Sequence, residues 1–302
     1  MTIAVAGAPV SFGVFELTPD DDALVLPTAD ALTAVLSRTG YAGVDLGPVG
    51  FLGRGDELRQ RLDANGLELA GGWVDLPFSD DEAFAASLAT LETALDVFSD
   101  AVDGHPSRAP LPTLADSGDA VRKANPGGGA GHTLDEEGWD RFARNLATAA
   151  ARVRARGLEP TFHHHACTFV ETPDEVDTFL ARTDVDLTFD TGHLLIGGGD
   201  VLESWQRWRN RINHLHLKDV RTGVLRDIVA GGGGMIEVWS GGTFVPLGDG
   251  DLAIGALMDD VVASGWDGWL VIEQDVYPMA GNDPQAPVRD AETNRRVLRQ
   301  WL

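Results

Sequence analysis

Residues 159–172 read Glu-Pro-Thr-Phe-His-His-His-Ala-Cys-Thr-Phe-Val-Glu-Thr, and three adjacent imidazoles in a short apolar run are difficult to explain by packing alone. We predict a buried strand here. Because successive side chains of a strand point to opposite faces, His163 and His165 would share one face and His164 the other. One isolated buried histidine is more often a hydrogen-bonded core residue, so a functional site needs support from other strands.

Three later stretches supply that support, because each is an apolar run that ends in polar residues. They are residues 185–193 (Val-Asp-Leu-Thr-Phe-Asp-Thr-Gly-His), 212–221 (Ile-Asn-His-Leu-His-Leu-Lys-Asp-Val-Arg) and 268–275 (Gly-Trp-Leu-Val-Ile-Glu-Gln-Asp). In a parallel barrel, catalytic groups sit at the carboxyl ends of the strands. Asp190, His216 and Glu273 occupy that position.

The rest of the chain predicts four earlier strands, with helices between them. The strands are residues 3–11, 43–47, 67–76 and 111–115. Helix start signals of the form Ser/Thr-x-x-Glu stand at 79–82, 133–136 and 172–175, and a closing helix spans 290–302. Residues 125–131 predict a flexible Gly-rich loop. The long connection 221–246, with four glycines at 231–234, predicts a lid, a spacer or a subunit contact.

Eight strands alternating with helices predict parallel order and right-handed crossovers, hence an α/β fold with a single (β/α)8 TIM barrel over residues 1–302. A doubly wound sheet would carry Gly-x-Gly-x-x-Gly after its first strand. The sequence there is Ser-Phe-Gly-Val-Phe at residues 11–15, which favours the barrel.

Composition sets limits on the function. A hydrophobic content of 43% with 23% charged residues is typical of a soluble globular protein, and together with the single cysteine it predicts a cytoplasmic one with no membrane partner. The net charge of -24, from 23 basic against 47 acidic residues, argues against nucleic acid as a partner. The lone Cys167 cannot form an intramolecular disulfide, and we interpret it as buried filler.

His163, Asp190, His216 and Glu273 together would offer two nitrogen and two oxygen ligands from four neighbouring strands. This mix suits Mn²⁺ or Co²⁺, and also Zn²⁺ or Fe²⁺, more than Ca²⁺. The same residues could instead form a hydrogen-bonded ion-pair network without a metal, and spacing alone leaves both interpretations open.

The four strand motifs, taken as a set, resemble the xylose-isomerase-like barrel superfamily, which includes sugar isomerases, epimerases and endonuclease IV. The resemblance extends over most of the chain. It implies a divalent metal held by the last residue of the fifth strand, by Asp190 of Asp-Thr-Gly-His, by His216 of His-Leu-His, and by Glu273. Many members carry Glu-x-His on the fifth strand, where this chain has His163. The arrangement of two metal-bound glutamates that epimerases use is therefore altered here.

The His-His-His form, together with Ala-Pro-Val-Ser-Phe-Gly at 8–13 and Gly-Trp-Leu at 268–270, is similar to the inosose dehydratase family of myo-inositol catabolism. The resemblance implies a lyase that removes water from 2-keto-myo-inositol to give a cyclic dione. A metal would stabilise the negative charge formed when the adjacent carbon loses its proton.

The acid and base are then sought among His165, His193 and Lys218, which the sequence does not rank. Three further residues lie near strand ends and are candidates for binding a polyol or keto-sugar: Trp73, Arg221 and Asp45. Three alternatives stay open: an isomerase or epimerase of the same barrel, a sugar-binding barrel without catalysis, and, least favoured by the acidic charge, an endonuclease. A homo-oligomer is possible by the same resemblance.

Overall fold

The protein is built around one parallel sheet whose two ends meet. The computed structural model describes residues 3–104, 106–127 and 129–302. The sheet strands are β1 (Ala4–Gly7), β2 (Gly43–Val44), β3 (Glu68–Leu69), β4 (Gly71–Leu76), β5 (Leu111–Asp116), β6 (Thr161–His163), β7 (Asp186–Asp190), β8 (Ile212–Leu217) and β11 (Trp269–Ile272). Their order is β3-β2-β1-β11-β8-β7-β6-β5-β4. Two further segments, β9 (Asp219–Val220) and β10 (Phe244–Val245), form a separate antiparallel pair.

The sheet closes because β3 and β4 are one strand interrupted at Ala70. The Ala70 N–H donates to Val44 O on one side, while Ala70 O accepts from Leu111 N on the other, at 2.9 and 3.0 Å. The nine segments therefore form the eight strands of a closed barrel, and the predicted TIM barrel is confirmed.

Helices connect most of the strands. They are α1 (Ala29–Thr39), α2 (Gly55–Asn65), α3 (Asp81–Val102), α4 (Ala120–Ala124), α5 (Glu136–Ala155), α6 (Pro173–Arg182), α7 (Thr191–Ile196), α8 (Val201–Trp208), α9 (Thr222–Ala230), α10 (Met235–Ser240), α11 (Ile254–Ser264) and α12 (Ala286–Leu298). Within the described ranges, no helix is long and apolar enough to cross a membrane.

The main core lies between the strands and these helices, and β6 shows how it positions the site. Phe162 points outward, where its ring stacks on Phe179 of α6 with centroids 4.3 Å apart and also contacts Phe142 of α5. Because side chains alternate along a strand, the same packing turns His163 into the barrel. The apolar contacts of Phe162 thus hold a polar neighbour at the opposite face.

Two of the three predicted helix start signals are wrong. The cap of α3 is Asp80, whose carboxylate accepts from Glu82 N and Ala83 N, so Ser79 stands one residue too early. The cap of α5 is Asp135, which accepts from Gly138 N, rather than Thr133. Each helix begins one residue after its capping aspartate, because the carboxylate of that residue accepts hydrogen bonds from free N–H groups of the first turn. The predicted capping box of α6, between Thr172 and Glu175, is confirmed.

Several predicted boundaries also shift. The first strand ends at Gly7, because Pro9 begins a 3-10 helix (Pro9–Phe12). The His strand ends at His163, after which the chain folds back so that His165 N donates to Val170 O. The last helix begins at Ala286, before the predicted residue 290.

The two loops predicted from their glycines both contain helical turns. The connection 221–246 carries α9, α10 and β10. The predicted Gly-rich loop 125–131 includes Gly128, which lies outside the described residues, and a 3-10 turn (Gly129–Gly131). Glycines therefore mark the joints between these short elements rather than one continuous loop.

Candidate metal and catalytic site

A cavity of about 500 Å³ opens at the carboxyl ends of the strands. The cavity is lined by residues in or directly after β6, β8 and β11, namely His163, His216, Lys218 and Glu273. The helix α10 reaches over the same cavity with Met235, so part of the long connection 221–246 forms one wall. Its volume falls in the range of small-molecule sites, and its position is where TIM-barrel enzymes place their chemistry.

Asp190 uses its two carboxylate oxygens for different purposes. Oδ1 accepts hydrogen bonds from Gly192 N at 2.9 Å and His193 N at 2.8 Å, which caps α7. Oδ2 faces the barrel interior, 3.2 Å from His163 Nε2 and 3.2 Å from Lys218 Nζ. His164, on the other side of the turn, accepts a hydrogen bond from Asp190 N at its Nε2. The cap therefore orients the other oxygen of Asp190 toward His163 and Lys218.

The Thr and Gly of the Asp-Thr-Gly-His motif bring α7 against β8. Thr191 Oγ1 donates to Lys218 O at 2.7 Å and accepts from Lys218 N at 2.8 Å, which locks the two segments together. A Cβ at Gly192 would lie 3.0 Å from Lys218 Cβ and 2.9 Å from the Phe244 ring. Glycine is favoured at position 192 because a larger side chain there would collide with the side chain of Lys218.

Two groups of buried side chains have the spacing of metal ligands. His163, Asp190 and His216 form one, Asp45, His216 and Glu273 the other, and in each group the ligand atoms lie within 4.8 Å of one another. His216 belongs to both, with Nδ1 3.1 Å from Glu273 Oε2. The four residues predicted as ligands are thus brought together, and Asp45 joins them.

These residues fit a divalent cation by an observation independent of spacing. Nε2 of His216 and Nδ1 of His163 are buried and have no hydrogen-bond partner among the residues that the structure describes. Buried imidazole nitrogens are costly unless something binds them. Imidazole and carboxylate donors together favour Mn²⁺, Co²⁺, Zn²⁺ or Fe²⁺.

Lys218 supplies positive charge in the middle of the acidic residues. Its Nζ lies 2.8 Å from Asp275 Oδ1 and 2.9 Å from Glu273 Oε2, as well as close to Asp190. Burial disfavours the charged form, but the carboxylates of Asp190, Asp275 and Glu273 outweigh it and raise the pKa of Lys218. The amine therefore keeps its proton and can donate hydrogen bonds, which makes it a poor base.

The two other acid-base candidates are stacked in front of Lys218. His165 lies over His193 with ring centroids 3.6 Å apart, and Lys218 Nζ lies 3.1 Å from His193 Nε2. Burial, together with the charge of Lys218, lowers the pKa of His165 to about 4. His165 Nδ1 donates to Ala166 O at 2.7 Å, so the unprotonated nitrogen of the ring is Nε2. His165 lines the cavity as a neutral imidazole that can accept a proton.

The three residues predicted to bind a substrate differ in their positions relative to the cavity. Trp73 lines the cavity and packs edge-on against His165, with centroids 4.9 Å apart. Asp45 is buried at the cavity floor, where desolvation raises the pKa of its carboxyl to about 7. Arg221 is exposed at the start of α9 and lies outside the cavity lining.

Sequence reasoning missed five carboxylates of the cavity lining, among them Asp275, Glu16 and Asp116. Both carboxylate oxygens of Asp275 contact Lys218 Nζ. Asp275 follows Glu273 by two residues, and this spacing could have indicated that both point into the cavity. Glu16 comes from an irregular segment after the first 3-10 helix. Asp116 is the last residue of β5, one position beyond the predicted strand end, where the strand-end rule would have found it.

Asp116 gives a prediction for stability. Its Oδ2 accepts from Phe169 N and Gly118 N at 3.0 Å each, yet burial raises the pKa of its carboxyl to about 6. The folded protein therefore binds this proton more tightly than the unfolded chain, so ionisation reduces stability as the pH rises from about 4 to 6. We compare the free energy of unfolding of Asp116→Asn with that of the wild type at pH 4 and at pH 8. We expect this difference to shift in favour of the variant by about 1 to 3 kcal/mol when the pH is raised from 4 to 8. Urea unfolding at both pH values measures this, with the exposed Asp20→Asn as control.

Comparison with known proteins agrees with the barrel fold. Residues 33–301 match the model of the xylose isomerase-like TIM barrel family. The chain is 32% identical to the rhizopine catabolism protein MocC of Rhizobium meliloti, over 92% of this chain and 83% of that protein. It is 29% identical to the inosose dehydratase of Lacticaseibacillus casei, over 82% of each. The fold is shared with D-allulose 3-epimerase of Methylomonas sp., at a TM-score of 0.69, 15% identity and coverage of 99% and 97%. The chain belongs to the xylose isomerase-like TIM barrel family.

Proposed function

We propose that this protein is a metal-dependent lyase that dehydrates a keto-inositol, 2-keto-myo-inositol or a close relative, to a cyclic dione. The observation that carries the proposal is the pair of ligand groups sharing His216, placed beside His165 and Lys218 in one cavity. The inosose dehydratases among its relatives supply the substrate class. A cyclic polyol ketone is uncharged and compact, and it suits a cavity of about 500 Å³.

His163, Asp190, His216 and Glu273 would hold the metal, with Asp45 as a further oxygen donor. Mn²⁺ or Co²⁺ is the cation we propose. When bound, a divalent cation would polarise the carbonyl of the substrate as a Lewis acid. The chain itself contributes the orientation of the ligands, since the cap of α7 holds Asp190 and the core packing of Phe162 holds His163.

Proton transfer is the part of the reaction assigned to the chain's own residues. His165 Nε2 would take the proton from the carbon next to the carbonyl, which breaks the C–H bond. The proton would then pass from His165 to the departing hydroxide as the C–O bond breaks, so that the products are water and the enol form of the dione. Lys218 would stabilise the negative charge on the carbonyl oxygen by donating a hydrogen bond while keeping its own proton.

Incubation with 2-keto-myo-inositol tests the proposal. Protein purified without chelator and supplied with Mn²⁺ or Co²⁺ should generate the absorbance of the dione, and excess EDTA should abolish it. Elemental analysis of the same preparation reports which metal is bound. Turnover of a ketose to its epimer, with no dione from the keto-inositol, would overturn the lyase assignment in favour of an epimerase. Binding of polyols without turnover would favour a sugar-binding barrel.

A further inference from the structure

A buried arginine outside the cavity joins two connections at the carboxyl ends of the strands. Arg122 of α4 is 0% exposed and lies outside the cavity lining. Its Nε donates to Thr168 O at 2.5 Å, its Nη1 to His132 O at 3.0 Å and its Nη2 to Glu175 Oε2 at 2.7 Å. A buried guanidinium is costly unless its donors are used in this way. Arg122 therefore links the connection after β5 to the connection after β6.

The connection after β6 contains a tight turn that carries His165. We define the histidine turn as residues 165–171. His165 N donates to Val170 O at 3.0 Å, and Thr168 Oγ1 donates to His165 O at 2.9 Å. Cys167 has a φ of 68°, in the left-handed region that residues other than glycine rarely adopt. Such a backbone persists only where its surroundings hold it, so the turn depends on contacts from outside.

The end of β5 and the connection after it supply these outside contacts. Asp116 Oδ2 accepts from Phe169 N at 3.0 Å, and Gly127 N donates to Glu171 Oε1 at 2.7 Å. Arg122 Nη2 lies 3.6 Å from Glu171 Oε2, in addition to the bond from Nε to the backbone of the turn. Arg122 thus contacts both the middle and the end of the histidine turn.

Movement of the histidine turn would displace the ring of His165. His165 Nδ1 donates to Ala166 O within the turn at 2.7 Å, and Ala166 N donates to His193 Nδ1 at 3.4 Å. The ring of His165 also lies over that of His193, with centroids 3.6 Å apart, and packs against Trp73. A reacting group that is misplaced by about 1 Å can cost about a hundredfold in rate. The position of the turn therefore bears on proton transfer.

We propose that Arg122 is a positioning residue for His165, because it holds the histidine turn in the conformation that fixes the imidazole at the cavity. The proposal rests on the function proposed above for the role of His165 as the base. Arg122 acts only through the turn, since it belongs to neither the cavity lining nor the ligand groups. Its planar guanidinium donates in three directions at once. A lysine has the same charge on a single nitrogen and does not reproduce this geometry.

Amide hydrogen exchange tests the hold on the turn without any turnover. In Arg122→Lys, the amides of the histidine turn should exchange at least about tenfold faster than in the wild type, while those of β11 keep their wild-type rates. Arg211→Lys is the matched control. Arg211 also binds a carboxylate, Asp186, and backbone carbonyls, but it directly precedes β8 at the opposite end of the barrel. Its substitution should leave exchange in the turn unchanged. Wild-type exchange in the turn of Arg122→Lys would overturn the proposal.

Turnover of 2-keto-myo-inositol with Mn²⁺ tests whether this hold serves the reaction. Arg122→Lys should keep the metal content of the wild type and a KM within about threefold, and its kcat per metal-bound chain should fall about 10- to 100-fold. Arg211→Lys should keep both constants. A merely structural role of Arg122 would reduce the amount of folded protein and leave kcat per metal-bound chain within about twofold, and that result would overturn the proposal.

A milder variant serves if Arg122→Lys does not fold. Asp119 caps α4 by accepting from Arg122 N at 2.9 Å, and its side chain is partly exposed. Asp119→Ala weakens the helix that carries Arg122, so turn exchange should rise and kcat per metal-bound chain should fall, each at least about threefold. Wild-type values of both would then overturn the proposal. Faster exchange in the turn, combined with a wild-type protein that forms no dione, would reject the lyase function and keep the hold of Arg122 on the turn.

Discussion

His216→Ala should reduce the dehydration rate by at least about a thousandfold and should lower the metal content of the purified protein from one ion per chain to a small fraction. His216 is the residue that belongs to both ligand groups, so its loss breaks each of them. Loss of residues that merely support metal ligands costs about 10- to 100-fold in affinity or activity, and a ligand itself should cost more. Elemental analysis and the dione assay measure the two effects on the same preparation.

The fold of this variant needs a control, because His216 is only 4% exposed. His216→Gln keeps most of the side-chain volume and should lose metal to a similar degree with a near-native circular dichroism spectrum. His132→Ala removes an exposed imidazole that lies 2.7 Å from Asp119 and should keep both metal and activity. Full activity of His216→Gln with no bound metal would show that the cluster is an ion-pair network rather than a metal site.

The barrel and the floor of its cavity could be predicted because both follow from simple periodic rules. Apolar runs alternating with helices gave a parallel order, and polar residues at the carboxyl ends of such runs must converge in a closed barrel. Asp190, His216 and Glu273 were found in this way, and the structure places them together. Asp45 was predicted near a strand end, and it directly follows β2, which is only two residues long, at the floor of the cavity.

The mouth of the cavity could not be predicted, because tertiary contacts position it. Glu16 lies in an irregular segment with no periodic signal, and its neighbour Phe15 is held by Trp239 and Tyr277, which are distant in sequence. Trp239 belongs to α10, inside a connection whose glycines predicted a loop. The position of these residues at the mouth of the cavity therefore depends on packing between segments that sequence patterns treat as connections.

The second large effect is expected for Lys218→Met in the metal-free protein, which should lose about 3 to 5 kcal/mol of unfolding free energy. Methionine has a similar length but no charge, so the variant leaves Asp190, Glu273 and Asp275 buried with their ammonium partner removed. Urea unfolding in EDTA measures the loss. Lys123→Met makes the same chemical change on an exposed side chain and should alter stability by no more than about 0.5 kcal/mol.

Added Mn²⁺ distinguishes the structural role of Lys218, which neutralises buried carboxylates, from its proposed catalytic role as a hydrogen-bond donor. A divalent cation can replace the charge of the ammonium but not its position. Binding to the folded state alone stabilises it by about 2.7 kcal/mol at a concentration one hundred times the Kd. Saturating Mn²⁺ should therefore recover a large part of the stability of Lys218→Met. The dehydration rate should stay reduced by at least about a hundredfold, since the variant has no ammonium to donate a hydrogen bond to the carbonyl oxygen of the substrate. Stability in EDTA equal to that of the wild type would mean that these carboxylates are neutralised by protons instead, and the ammonium would then have no structural role at this site.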